Sequence, residues 1–183
     1  MPKRSRTREL LQSHRVTIKA VAVFFITLLV SFWLLNNDWV MAHVLDPFTG
    51  IVARVVTLVF RVAGQSATAM GTSVTVNGTS LSIAQGCNGV EALALYLAAV
   101  FALPAGWKRK LAGVGIGIAG IFVINQIRVV GLFLVAMMRP ELLPNAHNYA
   151  GQTFVIVMGM ALWFFWAEKY AGFRYSKTGA APR

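Results

Sequence analysis

Three side chains able to do covalent chemistry together lie far apart in this sequence: Cys87, Arg128 and His147. Cys87 is the only cysteine and opens the stretch "GCNGVEALALYLAAVFALP", residues 86–104. A lone thiol cannot form an internal disulfide, and one cysteine is too few for a metal site built on thiolates. It is therefore either an inert buried residue or a reactive one. In the reactive reading a thiolate attacks a carbonyl carbon, and a histidine carries the proton to and from the leaving amine. A guanidinium stabilises the thiolate or the oxyanion that follows. Each residue also has a structural reading. Arg128 could snorkel towards lipid headgroups, and His147 could be an ordinary loop histidine.

The elements that must position these residues are membrane elements. The chain is 57% hydrophobic and 13% charged, against about 25% charged in soluble domains. Its formal net charge of +11 comes from short basic clusters between apolar runs. That distribution marks topology and not nucleic-acid binding. Residues 1–15 form a basic tail. Residues 16–35 form an uncleaved first span, since about 20 apolar residues cross a hydrocarbon core of about 30 Å. Three further spans are expected over Asn88–Pro104, Leu111 to about Met137, and about Asn148–Ala167. The first of these three is short, which predicts a thinned or water-filled mouth.

Residues 36–86 lie between the first two spans. Asp46-Pro47 is a helix-start signal. Arg54 and Arg61 follow seven residues apart on one face. The spacing predicts an amphipathic helix over about 46–64, lying on the membrane interface or, alternatively, crossing it. Apolar and polar residues then alternate around Asn77-Gly78, which predicts a β-hairpin over about 72–84. Residues 87–170 make a core of three spans, and 171–183 a second basic tail. The expected architecture is an all-α polytopic membrane protein of about four transmembrane helices, an interfacial helix and a small extracytoplasmic hairpin.

Orientation follows from the basic residues. An inner N-terminus puts 13 of the 17 lysines and arginines inside, leaving Arg54, Arg61, Arg128 and Arg139 outside. Cys87 begins a descending span, Arg128 ends a rising one and His147 precedes a descending one. All three then face the outside at one depth. Helix-start amides, Arg⁺ and His⁺ would lower the thiol pKa. Asn125, one turn before Arg128, could orient it. Glu91 is expected to pair with an arginine and not to act as base. Gly86 and Gly89 would let a substrate backbone approach. His14 falls inside, and His43 is a weaker rival to His147. "GIGIAG" (115–120) satisfies a dinucleotide-binding pattern without its strand–turn–helix setting. Gly113 and Gly117 read instead as a close-packing surface.

Three blocks, "GCNGVEAL", "NQIRVVGLFL" and "AHNYAGQTFVIV", between residues 86 and 158, resemble the motif blocks of the exosortase/archaeosortase family. The compact length and the "CNGVEA" wording look most like the exosortase H subgroup, without the extra N-terminal helices or second domain of longer members. The resemblance implies a polytopic cysteine transpeptidase of a bacterial inner membrane. Cys87 would be its nucleophile, Arg128 its arginine and His147 its histidine. It implies partners that are exported proteins ending in a short motif, a hydrophobic helix and a basic tail, together with an acceptor the sequence does not identify. Neither a cofactor nor a metal is expected, and no nucleic acid. Two other readings remain at this stage: a non-catalytic assembly or export subunit, and a membrane protease that only hydrolyses.

Overall fold

A computed structural model describes residues 3–83 and 86–171. The expected tail over 171–183 lies outside the described residues apart from Ala171. Five helices and one small sheet account for most of the chain. Helix α1 is Lys3–Leu35, so it runs through most of the segment expected as a tail. Helix α2 is Asp38–Val62, with a wide π-helical turn at Met41–Leu45. Strands β1 (Ala67–Met70), β2 (Ser73–Val76) and β3 (Thr79–Ser82) follow. Helix α3 is Val90–Ala102, α4 is Trp107–Met138 and α5 is Pro140–Lys169.

Four of these are long and apolar enough to cross a membrane: α1 over His14–Leu35, and α2, α4 and α5. This chain is a polytopic, largely helical membrane protein. The four differ in one member from the expected set. The run expected as a span over Asn88–Pro104 forms only 13 helical residues, about 20 Å of helix. Left-handed Gly89 opens it, and it stops at Leu103, before Pro104. Helix α2 is longer than expected because it starts at Asp38 and not at Asp46. The Asn37 side chain accepts from the amides of Trp39 and Val40, a cap that fixes the earlier start.

The hairpin forms where Asn77-Gly78 predicts it. Asn77 has φ +49° and Gly78 φ +86°, the pair of positive angles a two-residue type I′ turn requires. Val74 faces Leu81 and Val76 faces Thr79 across it. A third strand, β1, pairs antiparallel with β2, Ala67 opposite Val76. Its residues, "ATAM", carry little strand propensity of their own, so pairing and burial define it. One face of the sheet covers α2, whose buried Thr49, Val52, Ala53, Val56 and Phe60 recur at helical spacing. Arg61 Nε ties the two by donating to Ala67 O at 2.7 Å.

The second core lies among α3, α4 and α5. Glycines on α4 set its spacing. A Cβ on Gly113 would lie 2.6 Å from the Trp166 ring, and one on Gly117 would collide with the Tyr96 ring. Tyr96 Oη also donates to Gly113 O at 3.2 Å. Helix α4 continues ten residues past Arg128 to Met138, about 15 Å of helix. Whatever lies level with Arg128 is therefore sunk below the far end of α4.

Candidate active site

Cys87 sits in the short link between β3 and α3. Gly86 at φ +80° and Gly89 at φ +84° hold that link in left-handed backbone that favours glycine. Three side chains grip the peptide groups beside the thiol. The Gly86 amide donates to Glu91 Oε1 at 2.9 Å. The Gly86 carbonyl accepts from Arg128 Nη1 at 2.7 Å. The Cys87 carbonyl accepts from Asn125 Nδ2 at 3.0 Å. Asn125 and Arg128 stand one turn apart on α4, so a single buried face of that helix supplies two of the three bonds. Glu91 comes from the first turn of α3. Asn88 completes the anchorage: its Nδ2 donates to Thr49 Oγ1 on α2 at 3.2 Å. Its Oδ1 accepts from the Val90 amide at 3.1 Å, an Asx turn that leads into α3. A Cβ on Gly89 would lie 2.9 Å from Asn125 Cβ, so this position needs glycine for space as well as for φ.

With its backbone held, Cys87 turns its sulfur to His147. Sγ lies 3.5 Å from both Nδ1 and Nε2 of the ring, so it faces the ring between the two nitrogens, and a turn of the imidazole is needed to aim either one at the sulfur. His147 is carried by a π-helical turn, Ala146–Gly151, inside α5. Such turns recur at functional sites because they offset a side chain from the regular helical face. Gly151 closes the turn, and a Cβ there would lie 3.0 Å from Arg128 Nε. Thiol and imidazole open into a cavity of about 350 Å³ that β3 and Leu132, Phe133 and Leu143 help to line. Arg128 and Glu91 line a different cavity of about 250 Å³, together with Gly86 and Gly89 of the link.

The thiol is 6% exposed. Burial pushes its pKa above the ordinary thiol value, and the Glu91 carboxylate adds to the rise; the Arg128 charge opposes both without cancelling them. This differs from the lowered pKa expected from a helix start and two cations. The sequence does not reveal how deeply the link is buried, and desolvation outweighs the charges.

The structure brings Cys87, His147, Arg128, Asn125, Glu91, Gly86 and Gly89 into one neighbourhood, with three placements that sequence reasoning did not foresee. Arg128 holds the Gly86 carbonyl and not the sulfur. Asn125 holds Cys87 and not Arg128. Glu91 takes the Gly86 amide and not a guanidinium. His43 is elsewhere, stacked on Trp39 with Nδ1 2.9 Å from that residue's carbonyl, and His14 is exposed on α1. Asn88, Thr49 and Gly151 were missed. Only Asn88 carried a signal, as an Asx residue before an apolar helix. Among the described residues no cluster of three or more His, Cys, Asp or Glu could hold a metal ion.

Alkylation of Cys87 by iodoacetamide should accelerate as pH rises through and beyond the ordinary thiol range, since the thiolate is the nucleophile. Glu91→Gln removes a charge that raises the thiol pKa and keeps an acceptor oxygen for the Gly86 amide. It should quicken alkylation at neutral pH by roughly two- to tenfold, the effect of up to one pKa unit. A rate unchanged from wild type would show that Glu91 does not act on the sulfur.

No curated protein and no solved structure matches the chain. A family model described as transmembrane exosortase matches residues 14–166, a range that contains every residue of the gripped link, both buried α4 side chains and the turn that carries His147. On that match the chain belongs to the transmembrane exosortase family.

Proposed function

We propose that the protein is a membrane cysteine transpeptidase. It would cleave a C-terminal sorting signal from exported proteins at the outer face of a bacterial inner membrane and pass the acyl group to an acceptor. The observation that carries this reading is the 3.5 Å approach of Cys87 Sγ to His147, made across 60 residues of sequence by an otherwise anchored link. Because burial keeps the resting thiol protonated, His147 removes its proton as sulfur attacks the scissile carbonyl. The C–N bond breaks as His147 returns that proton to the leaving amine, and a thioester remains on Cys87. An acceptor nucleophile, its proton taken by His147, then displaces the thiolate. Arg128 steadies the attacking residue through Gly86 and favours the thiolate from behind the link.

The charge distribution supports N- and C-termini on the cytoplasmic side, with the site facing outward. The sheet supports the same depth for α2. An open three-stranded sheet exposes unpaired backbone, which the hydrocarbon core does not tolerate. The face of α2 that carries the sheet therefore belongs at the interface. A membrane-impermeant maleimide should reach Cys87 in intact spheroplasts. Labelling of the denatured protein in lysed cells but never in spheroplasts, even after prolonged exposure at alkaline pH, would reverse the orientation.

The reaction itself is tested by turnover of a co-expressed tagged substrate. Cys87→Ala should abolish processing. His147→Ala should slow it by about 100- to 10,000-fold, the usual contribution of a general acid or base. Processing by Cys87→Ala at the wild-type rate would exclude the cysteine mechanism and leave the non-catalytic reading.

A further inference from the structure

We infer that the free edge of β3 receives the substrate, whose residues before the scissile bond add to it as a fourth, extended strand. The inference deepens the reading of the chain as a cysteine transpeptidase and rests on it. Strand β3 stands at one end of the sheet, in the order β1-β2-β3. Leu81 faces Val74 and Ser82 faces Ser73, and the Ile83 amide donates to Thr72 O at 3.0 Å. Bonded and non-bonded pairs alternate along an antiparallel ladder, so Thr79, Leu81 and Ile83 turn their backbone groups to β2. Ser80 and Ser82 turn theirs away from it. Both serines are exposed, and no further strand pairs with them among the described residues.

The two edges of the sheet differ. On β1 the same alternation turns Ala67 and Ala69 outward, since the Asn77 amide donates to Ser66 O at 2.9 Å. There Arg61 Nε takes Ala67 O, which blunts that edge. Strand β3 reads "TSLS", with neither the charge nor the proline that discourages pairing. The open edge is also the one beside the thiol. Leu81, Ser82 and Ile83 line the cavity of about 350 Å³ that holds Cys87 and His147. A row of outward amides and carbonyls in that cavity matches an extended polypeptide, and a lipid chain has no amides to meet it. Strand β3 runs from the Asn77-Gly78 turn to the link that carries Cys87. Residues preceding a carbonyl held at the sulfur lie along it in the same direction. In that parallel pairing one substrate residue stands opposite Leu81. Its N–H donates to Ser80 O, and its C=O accepts from the Ser82 amide. Its side chain shares the face of Leu81 and enters the cavity beside Leu132 and Phe133, so an apolar side chain fits there.

A peptide that carries its own alkylating group tests this without a cleavage motif or an acceptor. The probe is a capped peptide of alternating threonine and valine that ends in a chloromethyl ketone. The Cys87 sulfur displaces its chloride: a C–S bond forms, the C–Cl bond breaks and the thiol proton passes to solvent. Two versions are N-methylated, one on the valine amides and one on the threonine amides, with composition and reactive group unchanged. Valines facing Leu81 use their amides on β3, so methylation there should slow labelling of the detergent-solubilised protein by roughly tenfold, the loss of about two hydrogen bonds. Methylation on the threonines should leave the rate within about twofold. Ser82→Pro removes an outward amide and no ladder bond. It should slow the unmethylated probe by roughly two- to tenfold, whereas Ala69→Pro, its counterpart on the β1 edge, should not. Iodoacetamide, which needs no strand, should label both variants at the wild-type rate. The methylated pair decides on wild-type protein alone if Ser82→Pro disturbs the fold. Equal rates for the two methylated versions would overturn the inference. So would a probe rate unchanged in Ser82→Pro, including the case of a dimer that this substitution dissociates, which would assign the edge to a second copy. Loss of processing in Cys87→Ala is a separate measurement, so failure of the edge and failure of the cysteine mechanism are told apart.

Discussion

The Arg128–Gly86 hydrogen bond is the constraint on which the site depends. A guanidinium buried at this depth is costly, and it is retained in membrane helices where a specific partner uses it. Here the partner is a backbone carbonyl one residue before the thiol, at 2.7 Å. A hydrogen bond to a charged group contributes about 1.5–3 kcal/mol net, enough to fix one conformation of a short glycine-containing link. Glu91 and Asn125 add two further bonds on neighbouring peptide groups, so the position of the sulfur is set by its backbone before any substrate arrives. Such prior placement is what makes proximity effective in a covalent step.

That hold also explains the electrostatics. Once the guanidinium is turned to the Gly86 carbonyl, its charge reaches the sulfur through space and without a direct hydrogen bond. Burial then dominates, and the thiol stays neutral at rest. A neutral buried thiol beside an imidazole is inert towards stray electrophiles. In the proposed reaction it becomes nucleophilic when His147 takes its proton during attack. The short α3 and the long α4 make this geometry available, since they set the link below the far end of α4 while the sheet and α2 stand beside it.

Much of this was legible in the sequence because the signals were local or periodic. The apolar runs, the Asn77-Gly78 turn and the convergence of Cys87, Arg128 and His147 all follow from spacing alone. Other features depend on contacts that spacing does not encode. Strand β1 exists because β2 offers it an edge, and α2 begins early because a single Asn37 side chain caps it. The helix at Asn88–Pro104 is shorter than the apolar run that announces it, since Gly89 and Pro104 trim 17 residues to 13 helical ones. Arg128, Asn125 and Glu91 each take a backbone group of Gly86 or Cys87 in place of the side-chain partner expected. Periodicity says which face a side chain leaves from and not which peptide group waits for it.

The central claim is that Cys87 becomes covalently linked to the substrate acyl group. Intact-mass spectrometry of the detergent-solubilised protein, mixed with a peptide that it processes and quenched in acid at short times, measures this directly. The account predicts an added mass equal to the acyl portion of the peptide, mapped to Cys87 and removed by hydroxylamine. An adduct that survives hydroxylamine or maps to another residue would contradict it. So would an adduct of the same mass in Cys87→Ala.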